Sequence, residues 1–511
     1  MVGVRGFGRG GAVAMVTVFT LGVAGLTATA GGPEGAKGPD RSAWQARAAT
    51  GDGDGAPCSM PGSAQGEDQE AASQPWCTGS DAEEEALRQQ LAEQPLEQLV
   101  EQLIMLEYNT EASSALAELQ SLLESYELGG FVLEDETSSS LFLEPGFSEL
   151  ADTRQLGDVT HPFVSVNEEG GPVQFSTPRY FDPDNDLIGC TTVGPIPGYT
   201  SDSPIDAEGW TCPDHSWAED VQYVPYLRNA HSMPTTWTRA QTREQLAEVG
   251  DAMDKLGLNL TLAPVLGVSD GTSESSLLGD RTFADDPQTV ERYARAFSRG
   301  VGEGSQSRVK TVVKHFPGLG TVATNTDDST GVSAPLSELE TRDLLPYDKS
   351  ITDYYEASGV MMSNAAVPGL TCSVDAPTDE CTQPATLTPA AYELLRGKYN
   401  WNGMVITDTL QTSAVLQDGL TIDQAAREAF AAGADLVEVK PTPDSAGDPP
   451  TLAQYEQTID EVRSEIIAWV QEDPYVRRGR VVESVLRIVQ AKSDPWAEPA
   501  QPTPGDVSYT G

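Results

Sequence analysis

The repeated pairing of a short apolar run with an amphipathic helical stretch constrains the fold of this chain more than any other feature. Each apolar run is rich in Val, Ile and Leu and ends in polar or Gly residues. Runs that are largely apolar throughout, without alternation, are typical of strands buried on both faces of a parallel sheet. Eight such runs are present, at residues 103–107, 130–133, 163–167, 258–263, 310–315, 359–363, 404–408 and 436–439.

Eight strand–helix units predict an α/β fold of the (β/α)8 TIM-barrel type, formed by one domain. A doubly wound open sheet is the alternative architecture. In a barrel, the functional residues lie at the carboxyl ends of the strands. Polar residues stand at several of these ends, so we expect a site that includes Asn167, Lys314, His315, Asn364 and Asp408.

The predicted barrel occupies residues 81–493, with a helix beginning at Asp81, and its flanks differ from it in composition. Residues 31–80 are rich in Gly, Ala, Pro, Asp and Ser without apolar periodicity, which predicts a flexible linker. The Pro-rich residues 494–511 are predicted to be a disordered tail. Residues 176–233 form a connection too long for an ordinary loop, and we expect this insert to line the rim of the site.

Residues 1–30 predict an export signal. Arg5 and Arg9 give a basic start, residues 12–26 are apolar and uncharged, and Ala28-Thr29-Ala30 offers a small-x-small cleavage site. The expected location is therefore secreted, with no stable membrane insertion after cleavage. An uncleaved membrane anchor is the alternative, because the uncharged stretch is just long enough to span a bilayer.

The charge of the chain excludes two classes of partner. Asp and Glu number 78 against 31 Lys and Arg, so the formal net charge is −47. A surface this negative repels nucleic-acid phosphates and anionic lipid headgroups. It fits an exported protein that is kept in solution by its charge, and most of these carboxylates are interpreted as solvated surface groups.

The six cysteines are interpreted as disulfides because export leads to an oxidising compartment. Six cysteines allow 15 pairings, and near-neighbour pairing is our prediction: Cys58–Cys77, Cys190–Cys212 and Cys372–Cys381. The sequence has no CxxC pair, and its four histidines are scattered without ligand spacing. No metal or organic cofactor is therefore predicted, and a metal-dependent barrel hydrolase is disfavoured.

Two strand ends carry side chains suited to chemistry. Lys314 and His315 follow the apolar residues 309–313 and open a loop rich in Gly and Pro, which favours ligand contact over packing. A solvated surface loop is the alternative there. Asp408 ends its run as a carboxylate, which is costly at a buried strand end unless it caps a helix or serves a site. The alternatives for Asp408 are an N-cap of a helix over 410–416 and a nucleophile or general base.

Several segments resemble, in order, the bacterial exo-β-N-acetylglucosaminidases of glycoside hydrolase family 3. The resemblance covers most of the predicted barrel. Its segments are Asn167-Glu168-Glu169-Gly170-Gly171, Leu262-Ala263-Pro264-Val265, Asp280-Arg281-Thr282-Phe283 with Asp286-Pro287, Lys314-His315-Phe316-Pro317-Gly318-Leu319-Gly320, Pro384-Ala385-Thr386-Leu387-Thr388-Pro389, Val405-Ile406-Thr407-Asp408, and Ala432-Gly433-Ala434-Asp435-Leu436.

The resemblance implies a barrel and a retaining double displacement on a terminal β-linked amino sugar from cell-wall glycan fragments. Asp408 matches the carboxylate nucleophile. Lys314 and His315 match a pair that hydrogen-bonds sugar hydroxyls, and Arg281 matches a substrate-binding arginine. Asn167 occupies a position where the family has an Asp that binds substrate.

The departures from the family pattern fall within the expected site. Where the family has Asp-Ser-His, with the His as acid/base, this chain has Asn325-Thr326-Asp327. Leu319 replaces the second His of the family loop, Gly267 stands where an Asp is usual, and Asn364 stands where a His is common. Pro172 replaces an Arg of the family.

Two functions follow from these departures. In the first, Asp327 takes the acid/base role, which restores the pair of carboxyls that most glycosidases use. Asp328 is the neighbouring alternative. In the second, the protein has lost efficient protonation of the leaving group and is a catalytically inactive glycan-binding relative of the same fold.

Overall fold

The computed structural model describes residues 81–109, 114–133, 141–142, 144–171, 173–174, 227–269, 277–350, 357–442 and 449–493. The predicted export signal, linker and tail lie outside the described residues, as do Pro172 and most of the insert 176–233. Four of the six cysteines, namely Cys58, Cys77, Cys190 and Cys212, lie outside them too.

Eight parallel strands form one sheet that closes on itself. The strands of the chain are β1 Ile104–Tyr108, β2 Gly130–Leu133, β3 Phe163–Val166, β4 Glu168–Gly170, β5 Val173–Gln174, β6 Leu260–Thr261, β7 Lys310–Phe316, β8 Gly359–Met362, β9 Met404–Ile406 and β10 Val437–Val439. Their order in the large sheet is β10-β1-β2-β3-β6-β7-β8-β9. A parallel bridge between Ile406 and Leu436 joins the last strand to the first. The (β/α)8 barrel is therefore confirmed.

Each of the eight apolar runs corresponds to a barrel strand, and the residues of each strand are buried along its whole length. The extra strands β4 and β5 form a separate antiparallel pair immediately after β3. Glu169 lies in the first strand of this hairpin. The predicted insert ends against it, since the Gly171 N–H donates to the Leu227 carbonyl at 2.8 Å.

Helices surround the barrel in the described part of the chain. They are α1 Asp81–Ala92, α2 Leu96–Glu101, α3 Ala115–Ser125, α4 Met233–Thr236, α5 Arg239–Lys255, α6 Pro287–Gly304, α7 Leu336–Leu339, α8 Leu345–Ser350, α9 Pro389–Gly397, α10 Ile422–Ala432, α11 Leu452–Glu472 and α12 Pro474–Lys492. The predicted start of a helix at Asp81 is confirmed. Among the described residues, no helix is both long enough and apolar enough to cross a membrane.

The dipeptide Asp286-Pro287 is explained by helix capping. Asp286 precedes α6 and accepts a hydrogen bond from the Thr289 N–H at 2.8 Å, while Pro287 occupies the first helical position. Asp is a favoured N-cap residue, and Pro at the first position lacks an N–H that would otherwise be unsatisfied. The Asp-Pro pair therefore starts a helix and does not contribute a reactive group.

The disulfide between Cys372 and Cys381 is present, as the near-neighbour pairing predicted, with 5.4 Å between the two Cα atoms. It closes a nine-residue separation in the connection from β8 to α9. Gln417 links this connection to the Asp327 loop, because its amide donates to the Thr382 carbonyl and accepts from the Thr330 hydroxyl. The disulfide therefore stabilises a loop on the same side of the barrel as the candidate site.

Candidate active site

The carboxyl ends of the strands bring three of the predicted residues into one charged network. Lys314, at the end of β7, places its Nζ 2.5 Å from Asn167 Oδ1 and 2.6 Å from Glu169 Oε1. Arg281 reaches the same carboxylate with two parallel bonds, Nε to Oε2 at 2.7 Å and a terminal nitrogen to Oε1 at 2.9 Å. Bidentate pairs of this kind fix a guanidinium firmly. Glu169 therefore holds both cations in place.

Glu169 is a site residue that sequence reasoning missed, although it stands in the motif quoted for Asn167. Burial alone would raise its pKa, but the adjacent Arg281 and Lys314 lower the pKa to about 2. Glu169 is therefore ionised throughout the physiological range. A signal was available in the sequence: the predicted site held a lysine and an arginine, and a buried charge needs a partner of opposite sign.

His315 lies next to Lys314 in β7 and is a neutral imidazole. Its side chain is buried, and burial together with the charges of Lys314 and Arg281 holds its pKa well below the usual range. Nδ1 is buried and makes no hydrogen bond with the described residues. A buried polar nitrogen without a partner is unfavourable in a folded protein, so His315 is suited to a hydrogen bond that a ligand completes.

Asp408 follows β9 at the barrel mouth, where the barrel prediction put it. The Thr409 N–H donates to its Oδ1 at 2.9 Å. Burial raises the pKa of Asp408 to about 6, with Lys314 and the Thr409 N–H acting against the rise and the charge of Asp327 adding to it. The carboxyl is therefore mostly ionised at neutral pH. The alternative of an N-cap is wrong, because residues 407–416 form turns without a helix.

Asp327 lies in the loop after β7, in the electrostatic neighbourhood of Asp408. Its N–H is bound by Asn325 Oδ1 at 3.2 Å, and its carbonyl accepts from the Ser413 N–H at 2.9 Å. The loop that carries Asp327 is therefore bonded to the loop that follows the Asp408 strand. The side chain of Asp327 is exposed, in contrast to the half-buried Asp408.

Two departures from the family pattern contribute to one apolar cluster beside the site. Leu319 packs with four other buried side chains, Val265, Leu278, Val322 and Ala365. Gly267 lies against the same cluster, since a Cβ at this position would come within 2.5 Å of Leu278 Cδ1. Positions 319 and 267, at which the sequence predicted departures from the family pattern, thus meet at one apolar contact.

Asp343 is a second residue that sequence reasoning missed. It is buried, and its Oδ1 accepts the N–H groups of Val268 at 3.3 Å and Gly320 at 3.1 Å. Burial raises its pKa to about 6, against the lowering effect of Arg342 and these N–H groups. The carboxyl ties the loop after β6 to the loop that follows β7. Its distance along the chain from both loops left no signal of this contact in the sequence.

Among the described residues, no group of three or more His, Cys, Asp or Glu side chains could hold a metal ion. Two carboxylates at the barrel mouth have partners within the protein: Glu169 pairs with two cations, and Asp408 accepts a backbone N–H. Such a site can hold hydroxyl groups with its donors, and it presents the Asp408 carboxylate at the barrel mouth.

Comparisons with known proteins show the family of the chain. The family profile described as "Glycosyl hydrolase family 3 N terminal domain" matches residues 224–471. The β-hexosaminidase LpqI of Mycobacterium tuberculosis is 30% identical over 325 residues, which are 63% of this chain and 68% of that protein. A β-hexosaminidase of Methylococcus capsulatus is 35% identical over 196 residues, 37% of this chain and 52% of that protein.

Solved structures share the fold. The structure of M. tuberculosis LpqI gives a TM-score of 0.56 at 26% identity and covers 78% of this chain and 93% of that one. The structure of a family 3 member from Mycobacterium smegmatis gives a TM-score of 0.58 at 24% identity and covers 79% of this chain and 98% of that one. At this identity it supports the fold alone. The fold and the β-hexosaminidase relatives together identify the protein as a glycosidase. The chain belongs to glycoside hydrolase family 3.

Proposed function

We propose that this protein is an exported, retaining exo-glycosidase that removes a terminal β-linked N-acetylglucosamine from cell-wall-derived glycans. Relatives described as β-hexosaminidases support the sugar and the linkage. The basic, apolar and small-residue pattern of residues 1–30 supports export. The domain that acts is proposed to be the barrel of residues 81–493, with the linker and the tail outside it.

The observation that carries the proposal is the environment of Asp408. Its carboxylate stands at the end of a barrel strand, one oxygen is held by a backbone N–H, and the charges of Lys314 and Asp327 both act on its pKa. A retaining glycosidase needs a nucleophile and a second catalytic group ~5–5.5 Å away. Asp327 is the acidic group that acts on Asp408 from a neighbouring loop, which supports it as the acid/base.

In the first step of the proposed mechanism, the free oxygen of Asp408 attacks the anomeric carbon of the terminal sugar. The glycosidic bond breaks, its electron pair goes to the leaving oxygen, and Asp327 delivers a proton to that oxygen. A covalent glycosyl-enzyme forms on Asp408. In the second step, Asp327 takes a proton from water, the water oxygen attacks the anomeric carbon, and the Asp408 carboxylate leaves.

The remaining site residues are proposed to hold the sugar. Lys314 and Arg281 are positioned by Glu169, so their donors are fixed before substrate arrives. Neutral His315 offers a ring nitrogen that has no hydrogen-bond partner within the described part of the chain. Asn167 presents an amide, which can donate as well as accept, where the family has an acceptor. Fixed orientation of this kind supplies a large share of an enzyme's rate.

A catalytically inactive glycan-binding protein is the second candidate, and the exposure of Asp327 favours it. A carboxyl that acts as an acid near neutrality needs a raised pKa, which is usually produced by apolar surroundings. Asp327 lies exposed to solvent. In this function, the network of Lys314, Arg281 and Glu169 would bind a sugar without useful turnover.

Leaving-group dependence separates the two functions. Wild type, Asp408→Ala and Asp327→Ala would be assayed on aryl N-acetyl-β-D-glucosaminides whose phenols range from very acidic to weakly acidic. We expect wild type to cleave the whole range and Asp408→Ala to lose all of it. Asp327→Ala should lose about 100- to 10,000-fold on weakly acidic phenols only, because general acid catalysis contributes that much where the leaving group needs a proton.

Asp328→Ala is the matched control, because Asp328 is an exposed acid in the same turn. It should behave as wild type. If Asp327→Ala cleaves the weakly acidic phenols as fast as wild type, the acid/base assignment is wrong. If wild type cleaves nothing while an aryl or free N-acetylglucosamine ligand binds, the glycan-binding function replaces the enzymatic one.

A further inference from the structure

Thr409, the residue after Asp408, is held by hydrogen bonds at three of its polar groups. Its N–H donates to Asp408 Oδ1 at 2.9 Å, and its hydroxyl donates to Glu107 Oε2 at 2.9 Å. Its carbonyl accepts from Asn364 Nδ2 at 2.7 Å. Any rotation of the peptide between Asp408 and Thr409 would have to break at least one of these bonds.

The groups that hold Thr409 come from other strands of the barrel. Glu107 belongs to β1, and Asn364 follows β8, next to β9 in the sheet. Glu107 is buried, and its second oxygen forms an ion pair with Lys440, which follows β10. Four neighbouring strand ends, β8, β9, β10 and β1, are thus joined around one residue, Thr409.

The side chain of Asn364 has a fixed orientation. Its Nδ2 faces the Thr409 carbonyl, so its Oδ1 points elsewhere, and this oxygen is buried without a partner among the described residues. An amide oxygen left in this state is unfavourable for stability. The amide is therefore better explained by what its Nδ2 does for Thr409 than by a contribution to the core.

From these contacts we propose that Glu107 and Asn364 are positioning residues that fix the Asp408 carboxylate for attack through Thr409. The proposal rests on the proposed function of Asp408 as nucleophile. With Oδ1 bound to the Thr409 N–H, the other oxygen is the one left to approach the anomeric carbon. In this proposal Glu107 and Asn364 act through their hydrogen bonds to Thr409, which decide where its N–H points.

Glu107 has no part in proton transfer in this proposal. Both of its oxygens are occupied, one by Lys440 and one by the Thr409 hydroxyl. An acid that must give up and regain a proton in each turnover cannot keep both oxygens as hydrogen-bond acceptors. This distinction gives the experiment a second readout.

The test compares Thr409→Val, Thr409→Ser, Glu107→Gln and Asn364→Ala in the full-length protein. Two substrates are used, 2,4-dinitrophenyl and phenyl N-acetyl-β-D-glucosaminide, of which only the second needs a proton on its leaving group. We expect Thr409→Val, Glu107→Gln and Asn364→Ala to lower kcat/KM on both substrates equally, by about 10- to 100-fold, because a small misplacement costs that much. Thr409→Ser keeps the hydroxyl and should restore most of the activity.

The pH profile provides a readout that a merely structural role would not move. The Thr409 N–H stabilises the ionised form of Asp408, so a loosened bond should shift the acid limb of kcat/KM to higher pH. The matched controls are Thr341→Val and Glu340→Gln. Thr341 donates its hydroxyl to a backbone carbonyl, and Glu340 pairs with Lys398, both at the surface. Both controls should retain the wild-type rate and profile.

Two results would overturn the proposal. In the first, Thr409→Val keeps the wild-type rate and acid limb. In the second, Glu107→Gln loses only the phenyl substrate, which would make Glu107 an acid. Asp408→Ala is measured in parallel to separate the nucleophile role of Asp408 from the positioning role of Glu107 and Asn364. If Asp408→Ala is active, the proposed function fails; if it is inactive and Thr409→Val is normal, only the positioning role fails.

Discussion

At the scale of single residues, burial acts on the site carboxyls in opposite directions. Glu169 is buried beside Arg281 and Lys314, and their charges lower its pKa to about 2 despite its burial. Asp408 receives less compensation, so burial dominates and raises its pKa to about 6. A raised pKa means that the folded protein holds the ionised Asp408 at a free-energy cost relative to the unfolded chain.

This cost predicts that Asp408→Asn inactivates the protein and stabilises it. The folded pKa lies above the unfolded value, so the protein gains stability from this group as pH falls from about 6 to about 4, and Asn resembles the protonated form. At pH near 7.5, we expect a gain of about 1–2 kcal/mol, after allowance for partial exposure. Thermal or urea unfolding between pH 4 and 8 measures the difference, which should vanish at the acid end.

Asp328→Asn is the appropriate control for the loss of one negative charge, because Asp328 is exposed. Its stability should follow that of wild type within about 0.5 kcal/mol, as surface substitutions usually do. A variant Asp408→Asn that is less stable than wild type at neutral pH would contradict the electrostatic argument. It would mean that the ionised carboxylate contributes net attraction within the site.

At the scale of structural elements, a second charged group lies at the amino-terminal end of the barrel. Asp435 precedes β10 and accepts the Val405 N–H of β9 at 3.0 Å. It pairs with Arg396 at 2.7 Å, Arg487 at 3.0 Å and Arg480 at 3.3 Å. The carboxylate therefore joins the last two strands to helices α9 and α12, where the barrel closes.

Asp435→Asn should weaken this closure severely. Burial alone would raise the pKa of Asp435, but Arg487, Arg396 and Arg480 lower it to about 2, so the substitution leaves three guanidinium groups around a neutral amide. Removing one partner of a buried ion pair costs about 3–5 kcal/mol. Urea unfolding at neutral pH measures the loss. The control is Asp460→Asn, which breaks a surface pair with Arg463 and should change the free energy of unfolding by less than about 1 kcal/mol. If both variants lose the same free energy of unfolding, the argument is wrong.

The strands were predictable from the sequence because their signal is local. An apolar run such as 130–133 can be recognised from its own residues, and in the barrel all four of them are buried. Asp408 was equally predictable from the sequence, because a charged residue at the end of an apolar run differs clearly from the residues before it. Glu107 ended another such run, but its function depends on Thr409 and Lys440, which are about three hundred residues away in the chain. Contacts of this length leave no periodic pattern in a single sequence.

Asp343 and Leu319 are two further residues whose contacts could not be predicted from the sequence. Asp343 lies in an ordinary acidic stretch of the sequence, and only the fold brings it to the backbone of Val268 and Gly320. Leu319 was visible as a departure from the family pattern, but its reason was not. The cluster with Leu278 explains it, because a polar side chain would be buried there among apolar ones.

At the scale of the whole molecule, the net charge of −47 opposes the compact state. Like charges repel one another in the folded chain more than in the expanded one. Surface ion pairs act in the opposite direction, but each contributes only about 0.2–1 kcal/mol. With 78 acidic and 31 basic residues, most carboxylates have no basic residue available to pair with, so repulsion is the larger effect.

Added salt should therefore stabilise the protein. Raising NaCl from about 0.01 M to about 1 M shortens the Debye length from about 30 Å to about 3 Å, which screens repulsion between distant surface charges. The buried pairs around Asp435 are screened much less, so their contribution remains. We expect Tm, followed by circular dichroism, to rise with NaCl at pH 8. A fall in Tm would show that the surface ion pairs outweigh the repulsion.

The same titration at pH 5 serves as the internal control. The sequence pI is about 4.2, so the net negative charge is already smaller at pH 5 than at pH 8. Salt effects that act through water and apolar surface do not depend on the protein's charge, whereas screening does. The rise in Tm should therefore be smaller at pH 5. An equal rise at both pH values would assign the effect to apolar burial and remove the charge argument, because only repulsion weakens as the carboxylates become protonated.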